Sequence, residues 1–310
     1  MSNISSELIE WAQKSTGQQI FNIEQLRKEA STRNYYRLKA NDKSYVVMEN
    51  TTEAESAARF LYASKILKTA GVKVPEVYAF SDNLGFILLE DLGDDVLDGT
   101  APLSDDSLLR MSLQELKKIY DVPQDVLPAQ NYDVLLNQTE EFCKVFDYLN
   151  IEADDADIMS LELFRKELVD HLIAQVYVPC HTDFERRNLI FYKNGIHVID
   201  FQDICMAPIG IDLASLLYEH NFDYKDSEIN ALLKEHMESA GYAFSENIMK
   251  SIYVALAHRS MRIIGTFINY FKDGKLLNRK DDIEMFLKRL LMAANKLNLL
   301  NNYSFFKKLK

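Results

Sequence analysis

The segment HTDFERRNLIFYKNGIHVIDFQD (residues 181–203) combines two apolar runs with a dense set of polar side chains. The runs LIFY and HVID flank the dipeptide Asn194-Gly195, which is the strongest short signal for a β-hairpin. A two-residue loop at this dipeptide pairs Leu189 with Asp200. The sequence therefore predicts that the carboxylate after the second strand lies opposite the start of the first strand.

Three polar side chains are expected to be close to this hairpin. Asn188 directly precedes the first strand, Asp200 ends the second, and Asp183 lies five residues before Asn188 in the loop that leads into the hairpin. An amide oxygen and a carboxylate at a strand end are hard oxygen ligands of the kind that Mg²⁺ takes. A second carboxylate nearby can orient a hydroxyl group. The pattern predicts a magnesium site with an acid–base residue beside it.

Composition indicates a globular protein with one large domain or two medium ones. The chain has 310 residues, of which 47% are hydrophobic and 26% charged. Its 35 basic and 47 acidic side chains give a formal net charge of -12. Because this charge repels phosphate backbones and anionic lipid surfaces, we expect neither a nucleic acid nor a membrane as a partner. No obligate protein partner is inferred.

The cysteines and the N-terminal residues favour a cytoplasmic location. Cys143, Cys180 and Cys205 are odd in number and lack the C-x-x-C spacing, so they indicate neither a disulfide framework nor a zinc site. The first residues, MSNISSELIEWAQKS, carry acids where a signal peptide has an apolar core. No run reaches the 18 or so apolar residues of a membrane span.

The first ninety or so residues have the pattern strand, strand, helix, strand, strand. STRNYYRLKANDKSYVVMEN (residues 31–50) predicts a hairpin of two strands, and apolar residues at helical spacing follow until Gly71. VPEVYAF and GFILLEDLG then predict two further short strands. Beyond Gly93 the periods become long and helical, including YDVLLNQTEEFCKVFDYL (residues 132–149). We therefore predict an α+β fold with domains at residues 1–92 and 93–310.

The spacing of the polar residues resembles a known set of motifs. H-x-D-x-x-x-x-N at residues 181–188, with an aspartate twelve residues later, resembles the catalytic and metal motifs of protein-kinase-like enzymes. The variant HTDFERRNL, VIDFQD and PIGIDLASL is similar to the aminoglycoside phosphotransferase family. Within that family, STRNYYRL, GFILLEDLGD and HRSMRIIGTF resemble most the anomeric sugar kinases that act on N-acetylmuramate and N-acetylglucosamine. The resemblance covers residues 25–275.

This resemblance implies a two-lobed kinase fold, with a small β-rich N-lobe and a larger, mainly helical C-lobe. It also implies transfer of the γ-phosphoryl group of ATP to a sugar hydroxyl with Mg²⁺ as cofactor. Asp183 would be the catalytic base, and Asn188 and Asp200 would be the metal ligands. His181 would be a structural member of the catalytic loop, which Asp212 would brace from the next helix.

The resemblance also implies residues that bind the nucleotide. The backbone from Glu90 to Leu92 would hydrogen-bond adenine. The segment over the phosphates would comprise Ser31, Thr32, Arg33 and Asn34. The strand lysine of many relatives is replaced by Met48, so a positive charge is required from elsewhere. Arg33 and Arg37 are the nearest candidates, and the alternative for both is a solvated position at the strand edge.

Candidate acceptor-binding residues are fewer. Asp203, just past the metal aspartate, is expected near the substrate. Arg259 and Arg262 lie three residues apart on a long predicted helix, where they form either surface ion pairs or contacts to the substrate. If the sugar carries a lactyl carboxylate, one of these two arginines supplies the cation that it needs.

Four other functions compete with a sugar kinase. A protein kinase is disfavoured because only eleven residues separate Asp200 from Asp212, too few for an activation loop. An aminoglycoside or choline kinase differs only in its acceptor pocket, and the acidity of the chain would suit a cationic acceptor. A pseudokinase that serves as an interaction module has Met48 as its one support. A metal-dependent hydrolase would require more histidine or carboxylate ligands.

Overall fold

The computed structural model describes residues 4–26, 33–41, 43–50, 54–97, 105–218 and 224–309. The first elements in chain order are α1 (Ser6–Thr16), β1 (Asn22–Gln25), β2 (Asn34–Lys39), β3 (Ser44–Glu49), α2 (Ala54–Thr69), β4 (Val77–Ser81), β5 (Phe86–Glu90) and α3 (Asp105–Tyr120). They are followed by α4 (Tyr132–Asn137), α5 (Val145–Tyr148), α6 (Asp155–Ile173), β6 (Tyr177–Cys180), β7 (Leu189–Tyr192), β8 (Gly195–Val198), β9 (Cys205–Pro208), α7 (Gly210–Leu217), α8 (Asp226–Ser239), α9 (Glu246–Lys272) and α10 (Asp281–Lys296).

The chain divides into two compact units. Unit 1 comprises Met1–Val122 and Arg187–Asp203, and unit 2 comprises Pro123–Arg186 and Ile204–Lys310. This grouping differs from the predicted division between residues 92 and 93. Unit 1 is larger than the predicted first domain because the β7–β8 hairpin is hydrogen-bonded to its first half: the Leu97 N–H donates to the Leu189 carbonyl and the Val198 N–H to the Lys73 carbonyl.

Unit 1 is built on a five-stranded antiparallel sheet with the strand order β1-β2-β3-β5-β4. The two predicted hairpins are present, and Val47 at the centre of the sheet pairs with Tyr36 on one side and Leu88 on the other. All three side chains are buried in one apolar cluster. One face of the sheet at these positions thus forms part of the core of unit 1.

Two elements of unit 1, α1 and β1, are absent from the sequence prediction. The Ser5 hydroxyl caps α1 by accepting the Leu8 N–H at 3.1 Å, and Gly17 ends the helix in the left-handed conformation. Leu8 and Ala12 are fully buried in the sheet cluster. Both caps were visible in the sequence, but the polar residues between them masked the short apolar stripe.

The β7–β8 hairpin forms in a register different from the predicted one. Leu189 pairs with Val198 rather than with Asp200, and the two loop residues are Lys193 and Asn194, both with positive φ. In this register the buried Leu189 lies opposite the buried Val198, whereas the predicted register would place a carboxylate opposite Leu189. Burial of the apolar pair thus outweighs the preference of the Asn-Gly dipeptide for the turn.

Unit 2 is mainly helical and is organised around α9, which has 27 residues. The described contacts of α9 include α6, α7 and α10, and a short β6–β9 pair completes the unit. Ten consecutive residues, Ile252–Met261, are buried, so this part of α9 is enclosed by protein on all sides. No helix in the described ranges is long and apolar enough to cross a membrane.

The segment 132–149 is not the continuous helix that its periodicity predicts. It breaks into α4, a 3₁₀ turn over Glu140–Lys144, and α5. The break falls at Thr139, which is almost fully buried and whose hydroxyl accepts the Arg165 Nε–H at 3.0 Å. A buried side-chain hydrogen bond from α6 thus lies at the break, and such a contact between elements leaves no trace in the periodicity of the segment.

Candidate active site

The loop that carries Asp183 follows β6 in unit 2 and turns sharply at Thr182. Thr182 has a φ of +73°, an uncommon backbone conformation for a β-branched residue. The buried Asp212 carboxylate in the first turn of α7 accepts the backbone N–H groups of His181 at 2.7 Å and Thr182 at 2.9 Å. Burial raises the pKa of Asp212, and these two hydrogen bonds oppose that rise. The predicted bracing role of Asp212 is confirmed.

Two arginines of α9 bind Asp183. Arg259 Nη1 donates to Asp183 Oδ1 at 2.8 Å, and Arg262 Nη2 donates to the same oxygen at 3.2 Å. Arg259 Nη2 also donates to Glu185 Oε2 at 2.6 Å. The Arg259 side chain is only 7% exposed, whereas 39% of the Asp183 side chain is exposed. Arg259 is therefore a buried cation shared by two carboxylates and not the exposed residue that one alternative expected.

These contacts determine the protonation of Asp183. Burial by itself would raise the pKa of this carboxyl group, but Arg259 and Arg262 outweigh it and hold the pKa well below its usual range. Asp183 is therefore ionised at neutral pH and can accept a hydrogen bond from a hydroxyl group. The cluster contributes fully to stability above the unfolded-state pKa of about 3.9, and this contribution is lost as the pH falls toward the lower folded-state pKa.

A pocket of unit 2 opens beside this cluster. It contains about 350 Å³ of free space, part of it continuous with solvent. Its lining consists of Gln130, Gln138, Thr182, Ile211, Ser215, Ala255, His258, Arg259 and Arg262. No carboxylate is present among these described lining residues. The pocket wall thus offers amides, hydroxyls and guanidinium groups, which suit a polar ligand that is neutral or anionic.

His258 is a neutral member of the pocket wall. Burial lowers its pKa to about 4. Its Nε2 lies 2.8 Å from the Leu135 carbonyl oxygen, which can only accept, so Nε2 carries the proton and Nδ1 is the acceptor. The two arginines are therefore the charged groups of the described pocket wall at neutral pH.

The predicted metal ligands lie in unit 1 at the base of the β7–β8 hairpin. The Ile199 N–H donates to the Asn188 carbonyl at 2.9 Å, which brings the residue before β7 next to Asp200. Asp200 adopts a left-handed conformation, with φ of +61°, and its side chain is 49% exposed. An amide and an exposed carboxylate fit Mg²⁺, which binds few protein oxygens and takes its remaining ligands from phosphates and water.

Arginine side chains of unit 1 approach this region. Arg33 Nη1 lies 3.8 Å from Asp200 Oδ1, and Arg59 Nη1 on α2 lies 3.8 Å from Asp203 Oδ1. Gln202 Nε2 donates to both aspartates, at 3.1 and 3.2 Å. The structure thus brings the predicted residues Arg33, Asp200 and Asp203 together. Ser31 and Thr32, predicted beside Arg33, lie outside the described residues.

Arg37, the second predicted phosphate contact, is bound elsewhere in unit 1. Its guanidinium group is 2.8 Å from both Asp91 and Asp94 and donates to the Gly93 carbonyl. It therefore ties β2 to the segment after β5, where the predicted adenine-binding residues Glu90 and Leu92 lie. With two carboxylates beside it, Arg37 is already neutralised.

Three other predicted residues of unit 1 have defined positions. The Asn34 amide donates to Glu49 Oε2 at 2.9 Å across the β2–β3 pair. The Glu90 carboxylate accepts from Lys193 Nζ at 3.0 Å, and Leu92 is buried. Met48 is fully buried on β3 between Tyr35 and Ile87, so no cation occupies that position.

Two ion-pair partners were missed by the sequence analysis. Glu185, which lies two residues after Asp183, is the second carboxylate that binds Arg259. A buried carboxylate requires a cation beside it, so a second acid in this loop indicates a buried cation. Arg59 on α2 lies on a helix that was interpreted only for its apolar face. The ion-pair roles of both residues depend on contacts between elements that are distant in sequence.

This combination of an antiparallel sheet unit, a mainly helical unit and an H-x-D-x-x-x-x-N loop defines a kinase-like phosphotransferase. Residues 22–244 match the sequence profile of the phosphotransferase enzyme family (APH), and the chain belongs to that family. The protein is accordingly a phosphotransferase enzyme. It is 28% identical over 258 residues to the N-acetylmuramate/N-acetylglucosamine kinase of Pseudomonas aeruginosa, covering 80% of this chain and 76% of the relative. The corresponding kinase of Neisseria meningitidis is 26% identical, with 87% and 85% covered.

Solved structures confirm the protein-kinase-like fold. The choline kinase LicA from Streptococcus pneumoniae superposes with a TM-score of 0.66 at 18% identity, over 94% of this chain and 99% of that one. The ADP-bound aminoglycoside phosphotransferase APH(2'')-Ib superposes with a TM-score of 0.62 at 17% identity, over 94% and 98%. At these identities the likeness establishes the fold alone.

The bracing carboxylate supplies a stability prediction. Asp212→Ala should lower the free energy of unfolding by about 2 to 4 kcal/mol, because it leaves two backbone N–H groups without their acceptor. Urea unfolding of the purified variant measures this change. Asp170→Ala, at an exposed position on α6, is the matched control and should stay within about 0.5 kcal/mol of the parent. Equal stability of the two variants would contradict the bracing role.

Proposed function

We propose that the protein transfers the γ-phosphoryl group of ATP to the anomeric hydroxyl of an N-acetylated hexosamine and accepts both N-acetylmuramate and N-acetylglucosamine. The observation that carries this proposal is the pocket beside Asp183, whose described wall has two arginines and no carboxylate. Such a wall suits a neutral or anionic sugar and disfavours aminoglycosides and choline, which are cations. The names of the relatives from two bacteria support the same acceptors.

Asp183 is proposed to orient the acceptor hydroxyl and to receive its proton. A carboxylate whose pKa is held low by two arginines is a weak base, so its main contribution is an acceptor in a fixed position. This suits phosphoryl transfer, in which the hydroxyl proton need not leave early in a loose transition state. An anomeric hydroxyl is also more acidic than other sugar hydroxyls, which eases its late deprotonation.

Asn188 and Asp200 are proposed to hold Mg²⁺. The bound ion would neutralise charge on the phosphates of the nucleotide. Of the two predicted cations, Arg33 is proposed to replace the strand lysine, because it lies near Asp200 whereas Arg37 is held by Asp91 and Asp94. The backbone from Glu90 to Leu92 is proposed to bind adenine.

The acceptor is tested by an ADP-release assay over four compounds. We expect turnover with N-acetylmuramate and N-acetylglucosamine, and no turnover with kanamycin or choline, because the described pocket wall has no carboxylate to pair with a cation. The product should be a non-reducing, acid-labile sugar phosphate, as phosphorylation at C1 requires. Phosphorylation of kanamycin or choline with neither hexosamine consumed would overturn the proposed function.

The role of Asp183 is tested by Asp183→Asn. Turnover should fall by about 10² to 10⁴, the usual contribution of a positioned acid–base group, while the Kd for ATP changes little. Initial rates and fluorescence titration with a labelled ATP analogue measure the two quantities. Asp170→Asn on α6 is the matched control and should retain parental turnover. Parental turnover in Asp183→Asn would remove this residue from the mechanism.

The assignment of the phosphate cation is tested by comparing two arginine variants. Arg33→Met should raise the KM for ATP or lower kcat by about tenfold or more, the value of a hydrogen bond to a charged group. Arg37→Met should instead lower the melting temperature, because it leaves Asp91 and Asp94 without their shared cation. Arg110→Met, at a surface pair on α3, is the control. A larger ATP effect for Arg37→Met would reverse the assignment.

A further inference from the structure

We propose that the two arginines of α9 divide their labour, with Arg262 recognising a carboxylate on the acceptor and Arg259 positioning Asp183. Arg262 would thereby distinguish N-acetylmuramate, which carries a lactyl carboxylate, from the neutral N-acetylglucosamine. This inference rests on the proposed function and narrows two candidate residues to one.

Arg259 has little capacity left for a ligand. Its two terminal nitrogens donate to Asp183 and Glu185 at 2.8 and 2.6 Å, and its side chain is 7% exposed. A buried guanidinium group with two carboxylates in charge-assisted contact is a fixed part of the protein. If Arg259 bound a substrate carboxylate, one of these ion pairs would break. Arg259 therefore affects catalysis by positioning Asp183.

Arg262 has unused donors. Within the described chain its side chain makes one polar contact, at 3.2 Å to the Asp183 oxygen that Arg259 already binds at 2.8 Å. The side chain is 31% exposed and forms part of the pocket wall. A guanidinium group presents five N–H donors in a planar fork that matches a carboxylate. Arg262 can therefore bind a ligand carboxylate while it keeps its contact with Asp183.

The other polar groups of the wall suit both sugars. The amides of Gln130 and Gln138 and the hydroxyl of Ser215 can bond to hydroxyl and acetamido groups, and His258 is neutral. None of them supplies the positive charge that a carboxylate needs. Because Arg259 is fully engaged, Arg262 is the cation of the described wall that can bind a lactyl carboxylate.

The geometry also sets the size of the effect. When a neutral sugar binds, Arg262 keeps Asp183 and solvent as partners, so no buried charge is left unpaired and the sugar is not rejected. The nearby Asp183 and Glu185 repel an added carboxylate and reduce its gain. We therefore expect a preference of about tenfold, compatible with one enzyme that accepts both sugars.

The test compares N-acetylmuramate, its lactyl methyl ester and N-acetylglucosamine in the intact enzyme. Arg262→Gln should raise the KM for N-acetylmuramate about tenfold more than the KM for the other two substrates, because only the acid carries the lactyl carboxylate. Any loss of kcat through the contact of Arg262 with Asp183 should be equal for all three substrates. The methyl ester and N-acetylglucosamine are the internal reference, because they share any effect on Asp183 and lack the carboxylate. Arg262→Lys, which keeps the charge, should recover part of the loss.

Two control variants separate charge and positioning from recognition. Lys288→Gln removes one positive charge from an exposed site on α10 and should leave all three substrates unaffected. Arg259→Lys should lower kcat for all three substrates by a similar factor, because it disturbs Asp183 itself. Melting temperatures of all variants show whether they fold. If a variant fails to fold, the ratio of kcat/KM for N-acetylmuramate to kcat/KM for its methyl ester in the parent enzyme still measures recognition of the carboxylate.

Failure of this inference differs from failure of the proposed function. If the parent enzyme phosphorylates both hexosamines but Arg262→Gln affects them equally, Arg262 does not recognise the carboxylate. The same conclusion follows if the parent enzyme uses the acid and its methyl ester equally well. If the parent enzyme phosphorylates neither hexosamine, the proposed function itself is wrong.

Discussion

The shared ion pair of Arg259 with Asp183 and Glu185 is the constraint on which the catalytic loop depends. Withdrawing a guanidinium group from water is costly unless carboxylates compensate it, and here one cation in the middle of α9 is met by two. The loop must therefore place both acids against α9. It turns at Thr182, a residue with a strained backbone whose N–H donates to Asp212 on α7. Electrostatics and local strain act together to fix one side chain, Asp183.

Local signals in the sequence were sufficient for most elements and for the loop itself. The hairpins of the sheet follow from short runs rich in aromatic and β-branched residues with turn residues between them, and the bracing by Asp212 follows from the family resemblance. The hairpin register was wrong because the Asn-Gly signal at residues 194–195 is local, whereas register is decided by which residues are buried together. Pairing Leu189 with Val198 leaves Asp200 beyond the ladder, exposed, where a carboxylate can bind a ligand.

Contacts between residues far apart in the sequence could not be predicted from local patterns. Glu185 and Arg259 are 74 residues apart, and the spacing of Arg259 and Arg262 on a helix gave surface ion pairs as a reasonable expectation. One signal argued otherwise: the stretch around Arg259 is apolar or small on every face, a pattern typical of an enclosed helix. An arginine on such a helix requires a buried acid, and the acids of the H-x-D loop are the candidates that the sequence offers.

With Met48 on β3 in place of a lysine, a positive charge for the proposed phosphate site has to come from other residues of unit 1. Met48 is fully buried, whereas Arg33 at the start of β2 and Arg59 on α2 each approach an aspartate of the segment 200–203. Both separations are 3.8 Å, well beyond the roughly 2.8 Å of a strong charge-assisted hydrogen bond. Arg37, by contrast, is within 2.8 Å of two acids. The charge of Arg37 is thus compensated within unit 1, whereas Arg33 lies beside Asp200, the aspartate proposed to hold Mg²⁺. Position rather than residue type therefore separates the proposed phosphate ligand from the structural cation.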